Sequence, residues 1–189
     1  MLFRWERQLP FERLIPDPDE RAWFLDTVIP LDWHGQHDGG RPAAEMIAER
    51  SAEFPGHAHL IRAWLTTFNE SVPGPVTGSP ELVEELHAAG VPLYAITNFG
   101  ADTWAGFAPT APLFDRFRDI VVSGIEKLAK PGEAIYRLAE RRFGHPPGAM
   151  LFIDDSLPNV AAARALGWHG HHFRDAETLR AELVARAVL

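Results

Sequence analysis

The stretch Phe152–Gly167, FIDDSLPNVAAARALG, decides the fold. An apolar run stops at Asp154 and Asp155. A helical pattern follows, with Pro158 in its first turn and Gly167 as its stop. Strand, paired carboxylates, then helix is the pattern of a βα unit whose polar groups sit at the carboxyl end of the strand.

The same alternation extends outward in both directions. Upstream, the patterning predicts a helix over 80–89, a strand over 91–97, a β-branched strand over 119–123, a helix over 131–143 and a strand over 149–153. Downstream it predicts a strand over 168–173 and a helix over 176–188. Alternating strands and helices imply an α/β fold with a doubly wound, Rossmann-like parallel sheet. Right-handed crossovers then place helices on both of its faces. The first half reads differently. Residues 17–28, 43–54 and 57–68 look helical, the loops between them are rich in Gly, Pro and Asp, and no strand is expected there. The expected organisation is therefore an α/β core over 1–15 and 79–189, a helical subdomain over 16–78, and VPGPVTGSP (72–80) as the link between them.

The chain has 189 residues, no cysteine and a formal charge of −8. Disulfides, thiolate zinc sites and cysteine nucleophiles are excluded. The acidic balance and scattered arginines argue against a nucleic-acid surface. No apolar run is long enough for a membrane span, and the charged start MLFRWERQLPFERLIPD lacks the apolar core of a signal peptide. A cytoplasmic location is the default expectation. The six tryptophans are expected mainly in the core.

Three strand ends carry groups suited to a phosphate and a metal. The first ends in Thr97-Asn98, a donor pair that also reads as a turn bonding its own backbone. Lys130, beside Pro131, stands where a helix start favours anions; a solvated lysine is the plainer reading, and Lys127 is a rival. The third is the sharpest. Asp154 and Asp155 repel one another unless a cation or strong donors compensate them, and hard oxygen ligands favour magnesium. One aspartate could cap the following helix, but capping does not explain both.

In this order the segments resemble the motifs of the haloacid dehalogenase (HAD) superfamily. Thr97-Asn98 matches its second motif, Lys130-Pro131 its third, and Asp154-Asp155-Ser156 with Asn159 its fourth, over residues 80–175. The helical first half looks like the cap inserted after the first strand, and DWHGQHDGG leading into Arg41 resembles a cap segment of the sugar-phosphate phosphatase branch. The resemblance implies an aspartyl-phosphate mechanism assisted by Mg2+. It makes Asp155 the principal metal carboxylate and Asp154 a second. Thr97, Asn98 and Lys130 would cradle the phosphoryl oxygens, while Asn159 and Ser156 would support the metal site. From the cap, His37, Asp38 and Trp33 are candidates to reach substrate.

The first motif of the family, an apolar strand ending in the nucleophilic aspartate, has no match here. Met1–Trp5 resembles the segment just after it, so the nucleophile is expected roughly four residues upstream of Met1, and the chain as given is expected to be inactive. In that fold the first strand lies centrally, between the strands ending at Asn98 and Asp154. Its loss would leave two inner edges without backbone partners. The leading functional expectation is a phosphatase for a small phosphorylated metabolite. The alternatives are a 2-haloacid dehalogenase, which needs no metal, and a non-catalytic protein that binds a phosphorylated ligand.

Overall fold

A computed structural model describes all 189 residues. The strands are β1 (Phe3–Arg4), β2 (Gly74–Pro75), β3 (Tyr94–Thr97), β4 (Asp119–Val122), β5 (Leu151–Asp154) and β6 (His169–His172). The helices are α1 (Leu9–Leu14), α2 (Pro18–Trp23), α3 (Leu31–Asp38), α4 (Ala43–Glu53), α5 (Ala58–Thr66), α6 (Ser79–Ala88), α7 (Ala101–Phe107), α8 (Ser123–Glu126), α9 (Glu133–Phe143), α10 (Leu157–Ala165) and α11 (Ala176–Ala185). None is long and apolar enough to cross a membrane.

The expected βα alternation is present, with parallel pairing. β3 pairs with β4 from Tyr94↔Asp119 to Thr97↔Val122, and β5 pairs with β6 from Leu151↔His169 to Asp154↔His172. These pairs do not join each other; β1 and β2 form a separate antiparallel ladder. That short ladder corrects the expectation that the first half holds no strand. The strand expected from Val91 begins only at Tyr94, because Pro92 has no N–H to donate to a ladder.

Hydrogen bonds fix which way each inner strand faces. Arg118 N donates to Leu93 O (2.8 Å) and Gly124 N to Phe99 O (3.0 Å), so the odd-numbered residues of β3 turn toward β4. By alternation, the peptide groups of Tyr94 and Ile96 turn the other way. His169 N donates to Met150 O (3.0 Å) and Phe173 N to Asp154 O (2.9 Å), which leaves Leu151 and Ile153 facing away from β6. Between these two strand edges lies an apolar cleft of about 350 Å³, lined by Tyr94, Ala95 and Ile96 on one side and Leu151, Phe152 and Ile153 on the other.

Three apolar clusters hold the elements together. One lies wholly within residues 11–64 and centres on Phe11, Phe24, Met46 and Ile61. Burying such side chains contributes about 1.5–3 kcal/mol each. The helix expected over 17–28 divides: Asp17 caps α2 by accepting from Asp19 N and Glu20 N, and a π-helical turn over Phe24–Val28 then buries Phe24, Leu25 and Val28. The second cluster packs the α9 stripe Ile135, Tyr136, Ala139 and Phe143 against Val121 and Phe152. The third joins α6 to α11 through Leu82, Leu86, Leu179 and Leu183. Trp33, Trp64 and Trp168 are buried as expected, whereas Trp5 and Trp23 are exposed.

Candidate active site

Lys130 is the centre of the site. Its Nζ donates to Asp154 Oδ2 at 2.7 Å and to the Ile96 carbonyl at 2.8 Å, tying the end of β5 to the end of β3 across the mouth of the cleft. Both charged side chains are more than nine-tenths buried, so each depends on the other for charge compensation. The ammonium also stands 5.6 Å over the Phe152 ring. Lys127, its sequence rival, ends α8 in a left-handed conformation and takes no part in this pair.

Asn98 positions the lysine. Its Oδ1 accepts from Lys130 N and its Nδ2 donates to Lys130 O, both at 2.9 Å. The amide side chain is thus engaged at both ends by the backbone of one residue, a clamp rather than a free donor. Thr97 ends β3 beside it, half-buried and paired with Val122.

Asp154 is saturated with donors. Oδ1 accepts from Ser156 N at 2.8 Å and Asn159 Nδ2 at 3.1 Å, while Oδ2 takes Lys130. Asn159 is held in turn by Tyr136, whose hydroxyl donates to the Asn159 carbonyl at 2.9 Å. Burial, reinforced by the Asp154 carboxylate, raises the Tyr136 phenol above its ordinary value. Asp155 points the other way. Its side chain is 65% exposed, 3.4 Å from the Met1 amino group. The two neighbouring carboxylates therefore have separate parts, Asp154 inside holding lysine and Asp155 outside.

No three His, Asp or Glu side chains converge into a cage. Magnesium does not require one; it is commonly held through one or two carboxylates while keeping several waters. Asp155, exposed at the strand end with no side-chain donor upon it, fits that use better than Asp154.

Of the three cap candidates, Trp33 and His37 are internal. Trp33 packs edge-on against Trp64, ring centroids 4.7 Å apart. His37 is 1% exposed, and its Nδ1 lies 3.0 Å from the Arg41 carbonyl. Asp38 lies beside His34, whose Nε2 is 3.8 Å from Asp38 Oδ2. Burial raises the Asp38 carboxyl from 3.8 to about 7, the Gly100 amide opposing. Burial, with the charges of His37 and Arg7, lowers His34 from 6.5 to about 4. Between those values both groups are neutral, so their proximity is not an ion pair.

The Thr97, Asn98, Lys130, Asp154, Ser156 and Asn159 positions are brought together; Asp155 flanks them and the cap residues stand apart. Sequence reasoning missed Ile96, which acts through a carbonyl every residue carries, and Tyr136, which reads as one more apolar position in the α9 stripe. His34 had a readable signal, its four-residue spacing from Asp38 on a helix.

Comparison with known proteins bears on the family and the fold. A family model described as haloacid dehalogenase-like hydrolase matches residues 44–167. A sesquiterpene phosphatase of Aspergillus oryzae is 32% identical over 94 residues, covering 50% of this chain and 48% of that protein. Protein CbbY of Rhodobacter capsulatus is 28% identical over 137 residues, covering 71% and 58%. The chain thus spans about half the length of these relatives. Among solved structures, a HAD family enzyme of Bacteroides thetaiotaomicron in complex with magnesium and inorganic phosphate superposes with TM-score 0.74 at 22% identity, covering 94% of this chain and 93% of that one. L-2-haloacid dehalogenase of Xanthobacter autotrophicus superposes with TM-score 0.62 at 17% identity, covering 99% and 80%. With the family model matching well over half its length and the fold shared, this chain belongs to the haloacid dehalogenase-like hydrolases.

Proposed function

We propose that this chain carries the phosphate-handling half of a magnesium-assisted phosphatase acting on a small phosphorylated metabolite such as a sugar phosphate. In this reading the attacking carboxylate enters on an extended apolar segment seated between β3 and β5. The observation that carries the reading is the buried Lys130–Asp154 pair, fixed by Asn98 at the carboxyl mouth of the cleft. A fixed ammonium there meets the charge that builds on phosphoryl oxygens during transfer.

The cleft supports the second part. Its two walls are strand edges, its lining is apolar, and Met1 and Leu2 reach it. The Met1 amino group lies beside Asp155, at the end of the cleft where a strand parallel to β3 and β5 would emerge. The phosphoryl group passes from the leaving-group oxygen to the carboxylate, then to water. Lys130 holds the transferring oxygens in both steps, and Asn98 keeps the lysine backbone from shifting. Asp154, already satisfied, orients Lys130. Asp155 is the side chain assigned to magnesium, which when bound offsets repulsion between the phosphate and the carboxylate. Residues 16–78 form the cap that sets substrate choice.

The test adds a synthetic extended peptide, apolar and ending in Asp, to the chain and follows inorganic phosphate release from p-nitrophenyl phosphate with magnesium. Release that vanishes with EDTA, and with a peptide ending in Asn, supports the proposal. Halide release from 2-chloropropionate indifferent to EDTA would instead favour a dehalogenase. Phosphate binding with no turnover from any peptide would favour the non-catalytic reading.

A further inference from the structure

The cap and the core meet at a buried side chain that the chemistry above does not use. His37, 1% exposed, lies directly on Gly100; a Cβ there would fall 1.9 Å from His37 Cδ2 and 2.0 Å from Nε2. The ring is held in place from the cap side. Its Nδ1 lies 3.0 Å from the Arg41 carbonyl, which can only accept, so the proton is on Nδ1. Trp64 packs edge-on against it, ring centroids 5.2 Å apart. The buried Nε2 has no partner and faces the Gly100 backbone. A ring so fixed is a wedge, and only glycine lets a backbone come that near.

The far side of the same loop is as tight. A Cβ on Gly124 would fall 2.5 Å from Ala101 N and 2.8 Å from Phe99 O, and Phe99 N donates to Ser123 Oγ at 2.9 Å. Residues 99–101 are therefore held between α3 of the cap and the start of α8. The cap touches the second loop as well. Gly40, at φ +94, would place a Cβ 2.7 Å from Lys127 Cγ and 3.0 Å from Gly124 O. One loop begins at Asn98 and the other runs on to Lys130, whose N–H and carbonyl Asn98 both engages. Helix α3 and the turn after it thus bear on both segments that converge in the clamp.

We propose that His37 is a positioning residue: its ring, seated on Gly100, sets the loop after Asn98 against α8 and so holds the clamp on Lys130 in register. The purpose of this contact rests on the phosphate-site reading; the contact itself does not. No change of charge enters it, since the fit is between a ring and a bare backbone. The consequence is directional. A methyl added at position 100 wedges the cap from the core, whereas loss of the ring leaves the loop unsupported. Loss of the ring from a chain that already carries the methyl makes room again. His37→Ala therefore loosens the clamp in the wild-type background and tightens it in the Gly100→Ala background. That reversal of sign arises only where the two positions share one space.

The readout is hydrogen exchange, followed by NMR in the intact chain, of the Lys130 amide that donates to Asn98 Oδ1. Gly100→Ala should lower its protection by about tenfold or more, and His37→Ala by a smaller factor. In the double variant, protection should recover above that of Gly100→Ala. The Ala139 amide inside α9 should fall by a much smaller factor throughout, which separates a displaced clamp from a general loss of stability. Three results overturn the proposal: a His37→Ala effect of the same sign in both backgrounds, a Lys130 amide as protected in Gly100→Ala as in the wild type, or equal losses at Lys130 and Ala139. Should Gly100→Ala fail to fold, His37→Ala alone decides, because unchanged protection at Lys130 overturns it. Inorganic phosphate affinity, measured by titration calorimetry on the same proteins, should follow the Lys130 amide, and affinity indifferent to it overturns the positioning role. The reversal of sign with no phosphate binding in any of them would leave the seam standing and remove the phosphatase reading.

Discussion

Two acid–base pairs in this molecule have nearly the same ingredients and opposite characters. Lys130 and Asp154 are 2.7 Å apart with further hydrogen bonds on each partner. His34 and Asp38 are 3.8 Å apart, too far for a hydrogen bond between them, with Trp64 Nε1 donating to His34 Nδ1. The first pair is a fixed ion pair because donors converge on the carboxylate and acceptors on the ammonium, so mutual attraction offsets desolvation. The second leaves each group more stable neutral, burial having moved both toward their uncharged forms. The difference teaches that burial alone does not make a charged site; the hydrogen-bonding shell decides.

The sharpest way to break the comparison is to remove one partner of the ion pair. Lys130→Met leaves Asp154 buried and uncompensated, an expected loss of about 3–5 kcal/mol. Urea denaturation should show it, and the double variant Lys130→Met/Asp154→Leu should recover most of the loss. If the single variant is as stable as the wild type, the pair is not charged.

The neutral pair should respond to pH instead. Asp38 is raised in the folded state, so its contribution to stability is fully present below about pH 4 and is lost as pH climbs to about 7. His34 is lowered, so its penalty is greatest in acid and is relieved as pH climbs from about 4 to 6.5. Thermal melts of Asp38→Asn and His34→Gln should therefore slope in opposite directions with pH, by roughly 1–3 kcal/mol across the window. Parallel pH profiles would remove the distinction between the two pairs.

A smaller effect is expected from Trp64→Phe, which keeps the aromatic packing and deletes the bond to His34 Nδ1. The expected loss is about 1 kcal/mol, read from the denaturation midpoint. An unchanged midpoint would mean that His34 is not held by this bond. Asp155→Asn should cost least, within about 0.5 kcal/mol, because its carboxylate is mostly in water. The same variant should nevertheless lose any dependence of phosphate binding on magnesium in isothermal titration. A variant that keeps that dependence would transfer the metal role to Asp154.

The sequence was informative in uneven ways. The α9 helix was legible because its apolar stripe repeats at helical spacing from Ile135 to Phe143, although its start moved from Pro131 to Glu133. The Asp154-Asp155 pair announced a site because like charges at a strand end need a compensating partner; Lys130 was named for the phosphoryl oxygens, and the structure makes it that partner for Asp154. What was not legible was the division of labour. Asn98 was expected to face the phosphoryl group and instead clamps a backbone, a role set by the meeting of two loops 32 residues apart. Trp33 and His37 were candidates for substrate because polar and aromatic groups in a cap read alike from sequence, and both are internal.

From residue pattern alone came the βα alternation, the identity of the polar groups at the strand ends and the expectation of a gap beside β3 and β5. These follow from local periodicity and from chemistry that travels with each side chain. Only the tertiary structure decided which aspartate is buried and which is open, that Lys130 bridges the mouth of the cleft, and that burial shifts His34 and Asp38 toward their uncharged forms. Burial and donor geometry depend on what the chain brings near a group, and no local pattern records that.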